Sequence, residues 1–581
     1  MKKSTKDFSY SGTINDLLEI SSIYNEKLII EDNELRYVNS KVSAKERNWL
    51  NKLGIAKSSD YYTIEFDSNN GSEIVKKQIR MGKTIENTYI PQKEGYTFLG
   101  WYFLRQGNDS ENPTYEEVEF SADTKIYENY FLYAKYSGEA VMMPCPEYTS
   151  AGFWEYKDKI KSISFIQGEI PDNLPTLSWN IRESRNSADI IAYLEADSDD
   201  KYNLTIISTQ KIYANADTSR YFNDFSELET INFDNLDTSK VKTMHWMFNG
   251  CTKLKEINLK KFNTSNVTNM ARMFSNCKKL ESLDLSSFIT NRVETMHGMF
   301  WNCVALTDLN LENFNTENTT TMQSMFDSCK SLTKLNLSSF NTSNVTTMKN
   351  MFCSCNALQK IELGSFNTSN VVTMENMFYD CTKLVSLNLS NFNTEHVITM
   401  ESMFSNCESL TELNLNNFDT QNVTTMALMF NSCQSLQSLS IDNFNTSKVN
   451  TMESMFGYCK SLTNINVKNF DTMNVLTMKD MFRQCIKLTK LDISSFNTQN
   501  VTTMENMFRY CTNLKTIYIK PFDGKENKGW SVENLSSTET LFLGCSSLIG
   551  EAGTTYRENY TDKTYAHIDK LDNPGYMTEM K

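Results

Sequence analysis

Cysteine and histidine are the residues that most often hold metals or drive redox and nucleophilic chemistry, and this chain has 14 of the first and 4 of the second. Their spacing argues for a different use. Cys251 begins a column that recurs every 26 residues through Cys511, and Cys545 continues it after an eight-residue insertion containing Pro521, Gly524 and Gly529. Twelve of the cysteines thus occupy one position of a repeat, one thiol per unit, and are read as small buried hydrophobes. A zinc or redox centre needs ligands converging from several directions, and the sequence has no CxxC pair. Cys353 and Cys355 are expected to point to different faces of a helix. His245, His297, His396 and His567 are scattered, and no Ser–His–Asp set or cluster of acids assembles around them. The residues therefore predict a protein that is not an enzyme and uses no metal or cofactor.

The same period organises the apolar residues. Phe262 recurs every 26 residues through Phe522, with Leu236 before it, and a Met–Phe pair recurs from Met247-Phe248 to Met507-Phe508. A methionine stripe can mark a plastic binding groove, but at a periodic position beside phenylalanine it reads as core. Within one unit, Val345, Met348, Met351, Phe352 and Cys355 have the spacing of one helix face, with Asn344 as the expected N-cap. Leu358, Ile361 and Leu363, with Glu362 between the last two, read as a short strand. One unit cannot bury its own apolar face, whereas stacked units share a continuous core. The expectation is an α/β repeat solenoid, with one short strand and one short helix per 26-residue coil, preceded by a small mostly-β domain.

Net charge is −14, which is the wrong sign for binding nucleic acid or an anionic membrane surface. No run of 18 apolar residues predicts a transmembrane helix. The first residues, MKKSTKDFSYSGTINDLLEI, contain no apolar run of signal-peptide type. The end, NPGYMTEMK, carries no sorting or lipidation motif. In the first 60 residues, TINDLLEIS reads as a short helix and ELRYV as a strand. SAKERNWLNKLGI reads as a helix started by Ser43 and stopped at Gly54.

The motif FNTSNVTTMxxMFxxCxxLxxLxLS, followed from Leu236 to Phe522, resembles the BspA-like leucine-rich-repeat family of bacterial surface proteins. The flanking segments, FWEYKDKIKSISF before it and YAHIDKLDNPGYMTE after it, resemble that family's caps. Upstream, Phe66, Asp67, Gly71, Gly95, Tyr96, Phe98, Gly100, Trp101, Tyr102, Leu132, Tyr133, Ala134 and Lys135 resemble the Listeria–Bacteroides repeat, also seen as the internalin-type B-repeat. Tyr136 stands where that module usually has tryptophan. The resemblances imply a leucine-rich-repeat type of solenoid, a single mostly-β spacer module, and an extracellular or cell-surface location. They divide the chain into an N-terminal region (1–60), a B-repeat-like module (61–137), a cap (138–221), the repeat array (222–522), and an irregular last repeat with its cap (523–581).

On the expected strand face one column points outward: Asn258, Asp284, Asn310, Asn336, Glu362, Asn388, Asn414, Ser440, Asn466, Asp492 and Tyr518. It is polar and nearly uncharged. It reads either as a solvated, hydrogen-bonded ladder or as a track for a long partner. The Asn and Thr of FNTSNV form a second ladder, expected to satisfy loop backbone through Asx and ST turns. The family resemblance implies adhesion, with a host matrix or cell-surface protein as partner and no nucleic acid. A spacer role and a glycan-binding role are the alternatives. A glycan track would be lined by exposed aromatics, for which Trp246 and Trp301 are the candidates.

Overall fold

The computed structural model describes residues 28–581 except 32–33, 38–40, 53–54, 56, 58–60, 87–88, 94–96, 107–114, 147–150, 186, 198–199, 525–527 and 537–539. The helix expected over TINDLLEIS, and Gly54, Gly95 and Tyr96, lie outside the described residues. The chain divides into two compact units, Met1–Ala140 with Ser184–Ala188, and Val141–Glu183 with Asp189–Lys581.

In the first unit, Ala44–Lys52 forms a nine-residue α-helix. A capping box starts it: the Glu46 N–H donates to Ser43 Oγ at 3.3 Å, and the Ser43 N–H donates to Glu46 Oε2 at 2.8 Å. Five strands make one sheet in the spatial order Val75–Arg80, Tyr61–Asp67, Tyr130–Ser137, Thr97–Gln106 and Tyr115–Glu119. Ile64, Phe66, Trp101, Leu132, Ala134 and Tyr136 form its core, with Phe66 and Trp101 edge to face at 4.8 Å. Phe66, Trp101, Leu132 and Ala134 of the Listeria–Bacteroides motif lie on this inward face, whereas its Tyr102, Tyr133 and Lys135 lie against one another outside that core. Tyr136 fits where tryptophan is usual because its hydroxyl donates to the Ser68 carbonyl at 2.9 Å.

The second unit opens with a five-stranded sheet, in the order Ser178–Asn180, Ile191–Ala196, Tyr202–Ser208, Ile160–Gln167 and Thr230–Asn232. From there the 26-residue units lie on one another in parallel register. Isolated bridges join Asp217 to Thr243, Thr243 to Asn269, and so on through Thr477 to Thr503. Short strands pair in the same register, Lys334–Asn336 with Lys360–Glu362 and Glu412–Asn414 with Ser438–Ser440. At the far end Met577–Glu579 pairs with Thr516–Ile519 and covers the last strand edge.

The expected α/β leucine-rich-repeat solenoid is not formed. The repeats are nearly all β and turn, and among the described residues the one α-helix is Ala44–Lys52, outside the array. The strands form separate two- and three-stranded sheets and do not join into one closed wall. Val345, Met348, Met351, Phe352 and Cys355 are all buried, as their spacing required. However, the segment that carries them is a chain of turns. Asn350 and Ser354 sit at φ 57° and 55°, which no α-helix accommodates. The N–H groups of Asn350, Phe352 and Ser354 donate to Glu375, Met377 and Tyr379 of the next coil at 2.7–2.9 Å. The N–H groups of Met351, Cys353 and Cys355 turn back three residues within their own coil. Alternate amides are thus spent between coils, so an i to i−4 ladder has no donors left.

Left-handed backbone recurs in two columns, mostly filled by Asn, Ser, Asp or Gly, which tolerate it. Leu428 occupies one of these positions at φ 60°. Leu428→Asn is expected to stabilise the array by about 0.5–1 kcal/mol, read as a higher urea midpoint with unchanged slope.

The core is a set of one-residue columns. Thirteen phenylalanines from Phe222 to Phe542 stack in one row, ring centroids 5.3–6.1 Å apart and planes within 17°. Tyr576 closes the row edge to face at 84°. Beside it, each of the twelve column cysteines donates its thiol to a phenylalanine carbonyl of the preceding coil, at 2.9–3.2 Å. The thiols are therefore buried fillers that also satisfy a carbonyl.

Burial pushes these thiols up, those of Cys303, Cys459 and Cys511 to about 12. The half-buried Cys145 and Cys353 are pushed up to about 11. Iodoacetamide at neutral pH is expected to leave the twelve column thiols of the folded protein unmodified, counted by intact mass. The unfolded chain ionises its thiols near 8.5. Above that pH the folded state holds more protons, so stability is expected to fall as pH rises. An unfolding midpoint that is flat from neutral pH to about 10 would contradict this.

Candidate interaction surface

In most coils a short strand sets the direction of the side chains, while the coils around Asn258, Asn388 and Asn466 hold the same positions without one. Ile361 points into the core while Lys360 and Glu362 point out. Repeating that alternation along the array lines up the predicted column. Asn258, Asp284, Asn310, Asn336, Glu362, Asn388, Asn414 and Asn466 are exposed, and Ser440, Asp492 and Tyr518 are half-buried.

The column is not a ladder of Asn-to-Asn bonds. Each of eight members uses its side-chain oxygen within its own coil. Lys260 N–H donates to Asn258, Ser286 to Asp284, Glu312 to Asn310 and Ser338 to Asn336, at 3.0–3.2 Å. Ser390 donates to Asn388, Asn416 to Asn414, Lys468 to Asn466 and Ser494 to Asp492, at 3.1–3.2 Å. These are Asx turns, and in the coils that have a strand they end it. They leave the amide N–H₂ groups as the outward chemistry, as when Asn336 Nδ2 donates to Glu312 Oε1 at 3.3 Å.

Lysines decorate the column. Lys260 faces Asp284 at 3.8 Å, Lys360 faces Glu362 at 2.8 Å and Lys468 faces Asp492 at 3.3 Å. Hydrogen bonds from Ser286, with Lys260 nearby, hold the Asp284 carboxyl below its ordinary value. Glu362 pushes the Lys360 ammonium up. A shallow recess of about 410 Å³ opens on this face, lined by Asp308, Asn310, Lys334, Asn336, Lys360 and Glu362. The strand alternation could have singled out Lys334 and Lys360, two residues before the column; attention to the column alone passed over them.

The second ladder makes the expected Asx turn at its Asn, but its Thr bonds the backbone of the next coil in place of the expected ST turn. Asn341 accepts from the Ser343 N–H at 3.1 Å, and Thr342 Oγ1 both donates to the Asn367 carbonyl and accepts its N–H, each at 2.8 Å. Trp246 and Trp301 do not line the strand face. They are half-buried on the turn segment, against arginine.

Coils in parallel register, with a continuous polar face and turn-built backs, define a repeat protein. The chain belongs to the family described as Mycoplasma protein of unknown function, DUF285, whose model matches residues 216–335, 322–440 and 433–554. Each matched segment runs over several 26-residue coils, and the match lends no support of its own to the BspA-like leucine-rich-repeat identity. Residues 62–135 match the Listeria-Bacteroides repeat domain, in agreement with the motif read from the sequence.

Two proteins of Evansella cellulosilytica are similar over part of their length. One, named "Putative membrane protein", is 30% identical over 138 residues, 23% of this chain and 21% of that protein. The other, "Putative Gly-rich membrane protein", is 27% identical over 144 residues, 23% of this chain and 16% of that protein. The chain thus spans about a fifth of the length of the curated relatives it matches. Among the described residues no helix is long and apolar enough to cross a membrane.

Proposed function

We propose that the chain is a non-enzymatic surface or secreted binding protein, an adhesin that contacts host matrix proteins, cells or other surfaces through the outward strand face of its array. The observation that carries this reading is the exposed polar column in register from Asn258 to Asn466, with a recess beside Lys334 and Lys360. The Listeria-Bacteroides repeat fits a surface protein, and the names of the two relatives place them at a membrane. Affinity would come from many weak contacts along the face and from many displayed copies.

One observation favours the spacer reading instead. The Asx turns already use the column's acceptors, so part of its regularity serves the fold. The two readings separate in a solid-phase screen of the full chain against immobilised matrix proteins and intact cells. Lys334→Glu with Lys360→Glu removes both cations of the recess, leaving only acids beside Asp308, Glu312 and Glu362, without touching an Asx turn. The adhesin reading expects saturable binding that this double variant weakens about tenfold, as loss of complementary charge does. Binding that ignores the variant, or no binding to any target, returns the array to a spacer.

A further inference from the structure

One stretch of the turn face departs from the rest. Its left-handed column holds Arg220, Trp246 and Arg272 at φ 63°, 58° and 55°, where later coils place Ser324, Asn350 and Asn376. Bulky side chains are disfavoured in that backbone region, and such outliers gather at functional sites. The side chains interleave. Arg220 lies 4.9 Å from the Trp246 ring; Arg272 lies 5.9 Å from Trp246 and 4.8 Å from Trp301. Gly298, next in the column, leaves the room that Arg272 and Trp301 fill.

Among the described residues neither guanidinium is held by a carboxylate, whereas Arg483 farther along the array pairs with Asp480 at 3.1 Å. Arg272 Nε instead approaches His297 Nε2 at 3.4 Å. Burial, with the neighbouring guanidiniums, holds the His245 and His297 imidazoles below their ordinary value, which leaves the arginines as the cations of the cluster. The backbone here is already paired, with Arg220, Trp246 and Arg272 N–H donating to His245, Ala271 and His297 of the next coil at 2.8–3.0 Å. An extended peptide therefore has no strand edge to join.

We propose that this Arg–Trp–Arg–Trp ladder binds an acidic polysaccharide, with uronate carboxylates held by Arg220 and Arg272 and sugar rings set against the exposed parts of Trp246 and Trp301. Each guanidinium lies within 4.9 Å of an indole ring, and a planar fork beside an aromatic ring can make two-point contact with a carboxylate. The ladder runs from coil to coil, which suits a ligand whose charges repeat along a chain. The site is separate from the strand face, and it stands or falls without it.

The test is surface plasmon resonance of the full chain on immobilised hyaluronan, alginate and polygalacturonate, beside carboxyl-reduced polygalacturonate and poly-glutamate. Saturable binding to a uronate polymer is expected, lost on carboxyl reduction and stronger than to poly-glutamate. Arg220→Gln with Arg272→Gln should weaken it about tenfold or more. Arg509→Gln, and Lys334→Glu with Lys360→Glu, should leave it unchanged. Should the Gln pair unfold, Arg220→Lys with Arg272→Lys decides, since lysine keeps the charge and loses the planar fork; it too should bind several-fold more weakly. Binding to none of the uronate polymers, equal or stronger binding to poly-glutamate, or unchanged affinity in a folded arginine variant overturns the proposal.

Discussion

A Phe378→Asp variant is expected to lose at least about 5 kcal/mol locally and to unfold in two stages. Phe378 is fully buried, stacked on Phe352 at 5.3 Å and on Phe404 at 5.8 Å. Aspartate removes two ring contacts, leaves a cavity and places a carboxyl where nothing can solvate it. In a stacked array each coil is supported only by its neighbours, so damage in one coil uncouples the two sides. Urea unfolding with peptide-level hydrogen exchange checks this. Protection should fall first in the peptides around Phe352, Phe378 and Phe404, while distant coils keep theirs. Phe378→Leu, which keeps most of the volume, should cost only about 1–2 kcal/mol. An aspartate variant that melts with the unmodified protein would sink the column account.

Thr342→Val is expected to cost about 2–4 kcal/mol although it changes the shape of the side chain very little. Thr342 is fully buried, and its hydroxyl is the partner of both the N–H and the carbonyl of Asn367 in the next coil. Valine takes the partner away from both of these part-buried backbone groups. Thr346→Val is the matching control: Thr346 is exposed, and its hydroxyl makes one bond of 3.3 Å to Thr320. It should cost under about 0.5 kcal/mol. Equal unfolding midpoints for the two variants would mean that the Thr342 staple contributes nothing.

These expectations rest on positions the sequence marks and on bonds it does not. The buried set was legible because a 26-residue period puts Met348, Phe352 and Cys355 in the same environment in every coil. The strand was legible because Ile361 and Leu363 alternate with polar neighbours. The Listeria-Bacteroides module was legible from Phe66, Trp101 and Leu132, which are its core.

The helix was misread for a physical reason. Buried residues spaced three, one and three apart fit a helix of 3.6 residues per turn, and they also fit a chain of four-residue turns. What separates the two is the backbone at Asn350 and Ser354, four apart, where most coils offer Asn, Ser, Asp or Gly. Two such columns side by side signal left-handed turns, which a helix interior would not need. The direction of the amides was not legible at all, because donation to the next coil depends on the stacking itself. The outward column was found on the face where it was sought, but its Asx turns were not foreseen. The Arg–Trp ladder was half visible: the tryptophans stood out, and the arginines that cover them did not.

Each 26-residue unit is a coil of turns bonded to the next coil, with no helix of its own. Far-UV circular dichroism of the full chain tests it most directly. A spectrum without the paired minima of α-helix, lost together with the buried-thiol protection on unfolding, is the predicted result. A spectrum with those minima at the strength of a helix in every repeat would contradict the claim, and with it the turn face and the strand face built upon it.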